Sequence, residues 1–174
     1  MSAETFTTAL FLITAVIAAG VLINAVFPVV YNMAGTFQSS THDADTRLRT
    51  DFKIVATFAP TSNPGTADIY MKNIGSQRIP IADIEHSDVF FGKVGNFGRL
   101  AYQYVNPPTG LGQNNWTEVF DGTYDISPPN GDWDPGETLR VSVKISDSLI
   151  KYDSVYFQFI LPNGIWRSNE FTVS

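Results

Sequence analysis

The chain opens on a long run in which nearly every position is apolar. Leu10, Phe11, Leu12 and Ile13 begin it, Val16, Ile17, Val21, Leu22 and Ile23 continue it, and residues 5–41 carry no Asp, Glu, Lys, Arg or His. No proline interrupts before Pro28. As a helix, residues 5–27 would span about 34 Å at 1.5 Å per residue, against a bilayer hydrocarbon core of about 30 Å. Pro28 is expected to kink that helix or mark its exit from the apolar layer. Gly35 supplies a C-cap. The polar stretch that follows reads as a stalk, so the predicted parts are a helix over 1–36, a stalk over 37–50 and a separate domain over 51–174.

Beyond residue 51 the period drops to two. Residues 52–58 alternate around Ile54, Ala56 and Phe58, and further short runs follow at 68–72, 88–92, 100–104 and 117–120. The clearest pattern lies at 139–145, where Leu139, Val141, Val143 and Ile145 share one face against Arg140, Ser142 and Lys144. At 155–161, Val155, Phe157 and Phe159 are predicted to point inward, and 165–167 with 170–173 close the chain. Seven or eight short strands separated by Gly, Pro, Asn and Asp predict an all-β, immunoglobulin-like antiparallel sandwich. Strict alternation implies one wet face per sheet, which excludes the doubly covered parallel sheet of nucleotide-binding enzymes. Phe90 and Phe91 must point to opposite faces. One of them is therefore expected to meet solvent or a partner, as are some of Phe97, Tyr102 and Tyr104.

Charge sharpens the division. The net charge is −6, yet Glu4 is the only formal charge before residue 43 and all 11 Lys and Arg follow it, from Arg47 onward. An acidic outer part without a basic cluster excludes nucleic acid as partner. The absence of cysteine excludes disulfides, thiolate metal sites and a cysteine nucleophile. Met1-Ser2-Ala3-Glu4 has no Lys or Arg, so the apolar run lacks the basic flank of a secretory signal. Two readings of the helix remain open: a bilayer anchor, or a helix packed with its own kind in a fibre core. Ala15, Ala18, Ala19 and Gly20 permit close helix approach in either. Arg47, Arg49 and Lys53 flank the helix on one side only, which by the positive-inside rule would place the domain in the cytoplasm.

Candidate chemistry is sparse. Asn130, Asp132, Asp134 and Glu137 offer oxygen ligands within eight residues, a donor set that calcium accepts. The same residues also suit a hydrogen-bonded turn around Pro135-Gly136 that leads into a strand. The EF-hand spacing is absent. His42 and His86 lie 44 positions apart, and no Gly-x-Ser-x-Gly, phosphate loop or His-Glu-x-x-His occurs. No enzyme and no small-molecule substrate is therefore expected, and no cofactor beyond the calcium candidate. Asn115-Trp116-Thr117 is the single N-glycosylation triplet, expected on a surface loop.

Several of these features together resemble a family. The charge-poor helix, the run Arg49-Thr50-Asp51-Phe52-Lys53-Ile54, the Lys72-to-Ser76 turn and the Trp133-to-Thr138 turn are similar to the archaellum-associated proteins of archaea. Archaellins and archaellar proteins F and G belong to that group, and protein G is the nearest likeness. The resemblance implies an anchoring or stator protein that links membrane to cell-surface layer. It further implies an archaellar protein F-like partner or a surface-layer protein, with self-association through the helix. The helix would lie in the cytoplasmic membrane or a filament core and the β-domain outside the cell, against the direction that charge counting gives. Archaellins carry a basic leader that Met1-Ser2-Ala3-Glu4 lacks, which implies a helix that is retained as an anchor. An archaellin-like filament subunit and a calcium- or carbohydrate-binding surface module are the alternative functions.

Overall fold

A computed structural model of the chain describes residues 3–62, 65–119 and 131–174. These form two units, one ending at Ala44 and the other running from Asp45 to Ser174.

Helix α1 (Ala3–Arg49) is 47 residues long, about 70 Å of axis. It continues through Pro28 and past Gly35, which does not cap it. The 37–49 segment read as a stalk is the same helix continued. The reason is local. Thr36 Oγ1 donates to the Asn32 carbonyl at 2.9 Å and Thr41 Oγ1 to the Phe37 carbonyl at 2.8 Å. Hydroxyls that favour turns elsewhere are thus satisfied on the helix itself. Near the carboxyl end Asp45 pairs with Arg49 at 2.9 Å, an i,i+4 contact. Arg47 and Arg49 in the last turn complement the helix dipole.

Among its described residues the second unit contains eight strands: β1 (Phe52–Phe58), β2 (Thr66–Asn73), β3 (Asp88–Lys93), β4 (Asn96–Tyr102), β5 (Asn115–Val119), β6 (Thr138–Lys144), β7 (Ser154–Ile160) and β8 (Trp166–Thr172). A short helix, α2 (Ile81–Glu85), precedes β3, and His86 caps it rather than opening a strand. The strand order is β1-β2-β6-β5-β4-β3-β7-β8. All neighbours are antiparallel except β4 and β5, which run parallel through the pairs Ala101 with Asn115 and Tyr102 with Trp116. The sandwich is thus one strongly coiled sheet, folded on itself as a near-barrel, with that short parallel seam at the fold. Residues 103–114 return the chain to lie beside the strand it has just left.

The interior follows the alternation that predicted it. Leu139, Val141 and Val143 of β6 and Val155, Phe157 and Phe159 of β7 are buried. Aromatic rings run through the core in contact: Trp133 to Phe52 (5.6 Å), Phe52 to Phe159 (5.6 Å) and Phe159 to Trp116 (6.0 Å). Strand β1 departs from expectation. A bulge between Ile54 and Ala56 leaves Val55 unpaired and reverses the inward face. Phe58 is accordingly exposed and Thr57 half-buried. Of the consecutive pair in β3, Phe91 is buried and Phe90 half-buried.

Candidate assembly interface

Helix α1 offers the most conspicuous surface. None of its residues is buried, and Phe11, Val16, Leu22, Phe27 and Phe37 are all more than half exposed. It is long and apolar enough to cross a membrane. A face that apolar is stable only against lipid or other protein.

Its carboxyl end is fastened to the sandwich by backbone hydrogen bonds. The Arg49 carbonyl accepts from the Ser76 (2.9 Å) and Gln77 (3.1 Å) amides, and the Asp51 carbonyl from those of Ile74 (3.0 Å) and Gly75 (2.9 Å). These accept at the point where a helix runs out of internal donors for its last carbonyls. Thr50 between them is buried, with its hydroxyl on the Thr46 carbonyl at 2.8 Å. Gly75 permits the close approach, because a Cβ there would lie 2.3 Å from the Arg49 oxygen. On the strand side, Asp51 forms an ion pair with Arg167 of β8, whose guanidinium also lies over the Phe52 ring.

The two turns that stood out in the sequence meet at this clamp. Asn73, fully buried, donates through Nδ2 to the carbonyls of Gln77 (3.0 Å) and Trp133 (3.0 Å) and accepts from the Gly75 amide at 3.0 Å. Its backbone exchanges bonds with the second turn: Asn73 N–H to the Glu137 carbonyl (2.9 Å) and Gly136 N–H to the Asn73 carbonyl (2.8 Å). Trp133, also fully buried, pairs antiparallel with Ile79 and donates Nε1–H to the Glu137 carbonyl at 3.0 Å.

The calcium-candidate residues belong to that second turn. Asp134 accepts from Arg78 Nε at 2.5 Å and Asp132 from Arg78 at 3.4 Å. These two carboxylates hold the guanidinium's pKa above its usual value, the Asp134 hydrogen bond contributing most. Asp132 also accepts from the Ile81 amide at 3.3 Å, and Glu137 from the Asp134 amide at 2.7 Å. Asn130 lies outside the described residues. Among the described residues no group of three or more His, Cys, Asp or Glu is placed to hold a metal ion. His42 is on α1 and His86 ends α2, where its Nδ1 meets the Ala82 carbonyl at 2.6 Å. Asn115 is not on a loop. It opens β5, half-buried, and donates to Gln103 Oε1 at 2.6 Å, while Trp116 and Thr117 of the same triplet are fully buried.

Sequence reasoning missed Arg78 and one polar cluster altogether. The Tyr102 hydroxyl lies 2.9 Å from Glu118 Oε1 and 3.2 Å from Glu85 Oε1. Glu118 is 6% exposed and its Oε2 is buried without a partner. Desolvation raises its pKa above the ordinary carboxyl range, and burial beside these carboxylates raises that of the Tyr102 phenol. No signal in the sequence joins these three, which come from α2, β4 and β5.

An exposed apolar helix followed by a β-sandwich, without a catalytic constellation among the described residues, fits a structural protein built for assembly. The sequence matches the archaeal-type flagellin family over residues 7–171, and the chain belongs to that family. Its fold is shared by solved structures. The archaellum periplasmic stator protein FlaG from Sulfolobus acidocaldarius is 21% identical, with a TM-score of 0.53 over 70% of this chain and 99% of that one. A chain of the FlaF and FlaG stator complex from the same organism gives 21% and 0.52 over 69% and 87%. The archaeal flagellum of Methanospirillum hungatei strain JF1 gives 13% and 0.66 over 97% and 93%, a match that takes in the helix as well as the sandwich. Family and neighbours alike are structural parts of the archaellum and not enzymes.

Proposed function

We propose that this chain is an anchoring or stator component of the archaellum. In this reading α1 holds it in the cytoplasmic membrane, and its sandwich stands on the outer side, where it grips an archaellar protein F-like partner or a surface-layer protein. The observation that carries the reading is the clamp around Arg49 and Asp51. A stator has to resist torque, and within the second unit Arg49, the last residue of α1, and Asp51 just beyond it each accept two backbone hydrogen bonds from the turn at residues 74–77. The likeness to a periplasmic stator protein across nearly all of that protein's length supports it, and favours the outer side over the weak basic flank of α1.

Deletion of the gene tests this. The expected result is cells that still carry archaella and do not swim; normal swimming would sink the reading. The match to a whole flagellar filament subunit, helix included, favours a second reading, a subunit of the filament itself. Under that reading the deletion removes filaments as well as swimming.

A further inference from the structure

We propose that residues 96–100 of β4 form a docking edge for an extended segment of another protein, one in which an apolar residue is flanked by lysine or arginine. The site belongs to the sandwich alone and holds for a stator and a filament subunit alike. Strand β4 pairs with β3 throughout residues 96–100, but with β5 only at Ala101 and Tyr102. The Ala101 amide donates to the Asn114 carbonyl at 3.0 Å. Backbone groups alternate in direction along a strand, so Phe97 and Arg99 turn their N–H and C=O to that same side. There β5 has not yet begun. Among the described residues nothing bonds to these four groups.

A hollow of about 310 Å³ separates this edge from residues 145–147, just past the end of β6. Buried Phe91, Leu100 and Ile145 line it together with exposed Asn96, Asn114 and Asp147. Gly98 opens it. The other described glycines of the sandwich have a positive φ or sit where a Cβ would crowd a neighbour. Gly98 has neither excuse: its φ is not left-handed, and a Cβ there would have no atom within 4 Å. The β3–β4 register also runs through it without a bulge. An unstrained glycine inside a strand weakens that strand, and marks a place where another backbone comes close. Gly98 pairs with Phe91, so the missing side chain leaves that ring open to the hollow.

The occupant's chemistry follows. Pairing with Phe97 and Arg99 needs an extended segment with free amides, as in strand addition to a sheet edge. Alternate side chains of that segment meet the apolar lining. On the rim, exposed Asp147 has only Asn96 Nδ2, at a long 3.4 Å, and forms no ion pair among the described residues. A lysine or arginine fits beside it, and the chain's net charge of −6 steers a basic segment inward.

The probe is a short fluorescent peptide in which Val and Lys alternate, titrated against the full chain in detergent and read by anisotropy. Saturable binding is expected. N-methylation of the amides on one edge of the peptide should weaken it about tenfold, and on the other edge less than about threefold, because one edge alone meets β4. Gly98→Leu, which fills the hollow, should weaken it about tenfold, and Asp147→Asn about threefold. A photo-reactive peptide should crosslink within residues 96–100 or 145–147. The methylated peptides act on the unaltered chain, so they decide even if Gly98→Leu fails to fold. Absence of saturable binding, equal effects of methylation on both edges, full affinity in a folded Gly98→Leu, or crosslinks elsewhere would overturn the proposal. So would a photo-reactive residue at position 96 that joins two copies of the chain in native membranes, which would assign the edge to self-pairing.

Discussion

Gly75 occupies the tightest point of the molecule that a single substitution can probe. A methyl group there meets two backbone atoms, the Arg49 oxygen at 2.3 Å and the Asp51 nitrogen at 2.6 Å, neither of which can move aside alone. Gly75→Ala is expected to destabilise the sandwich by about 1–3 kcal/mol, the usual cost of forced overpacking, measured by urea denaturation of the detergent-solubilised chain. Glu118 makes the opposite prediction. The single proton of the Tyr102 hydroxyl cannot serve Glu118 and Glu85 together, and burial favours the neutral acid of Glu118. The folded chain therefore holds the Glu118 carboxyl proton more tightly than the unfolded chain. The resulting stabilisation is complete below the unfolded carboxyl value of about 4.3 and is lost as pH rises through the folded value. Glu118→Gln should raise the thermal midpoint at pH 8 and flatten its decline above the ordinary carboxyl range. A lower midpoint at pH 8 would show that the charged carboxylate is the stabilising form.

At the scale of elements, the clamp and its supporting turn separate buried from exposed bonding. Asn73, fully buried, satisfies the Gln77 and Trp133 carbonyls, so Asn73→Ala is expected to cost about 1–3 kcal/mol. Arg78 meets its two carboxylates with its own side chain 54% exposed, so Arg78→Ala is expected to cost much less than Asn73→Ala, with the effect largely abolished by salt. Denaturation of both variants at low and high ionic strength checks the contrast. We propose that Asp132, Asp134 and Glu137 serve this turn. Millimolar calcium should then leave the thermal midpoint of the full chain unchanged, and a rise would restore the metal reading. The strands were legible wherever one face is buried, as in β6 and β7. Strand β4 was read from 100 because only Leu100 in it is buried, and β8 was read as two pieces because Ser168 and Asn169 lie exposed at its centre. An exposed strand has no apolar partner to impose period two. The bulge at Val55 and the parallel seam are set by pairing between distant segments, which no local pattern records.

The whole molecule divides as its charges do, into a helix without ionisable groups over most of its length and an acidic sandwich. That division was readable from composition alone, whereas the archaellum-related role came from the resemblance carried by the helix, the Arg49-to-Ile54 run and the two turns. The length of the helix was not. Proline, glycine and a run of Ser and Thr are all stop signals by propensity. Across the Ser and Thr run, hydroxyl bonds to preceding carbonyls and, further on, an i,i+4 ion pair satisfy these side chains on the helix itself. Clamp contacts were hidden for a related reason, since Asn73 and Trp133 are sixty residues apart. The central claim is that this helix keeps its sandwich at the cell envelope instead of carrying it into the filament. Quantifying the chain in membranes and in archaella sheared from the same cells tests that claim most directly. The stator account predicts that nearly all of it stays with the membranes and resists carbonate. Finding it in sheared filaments in proportion to the filament subunits would contradict the account.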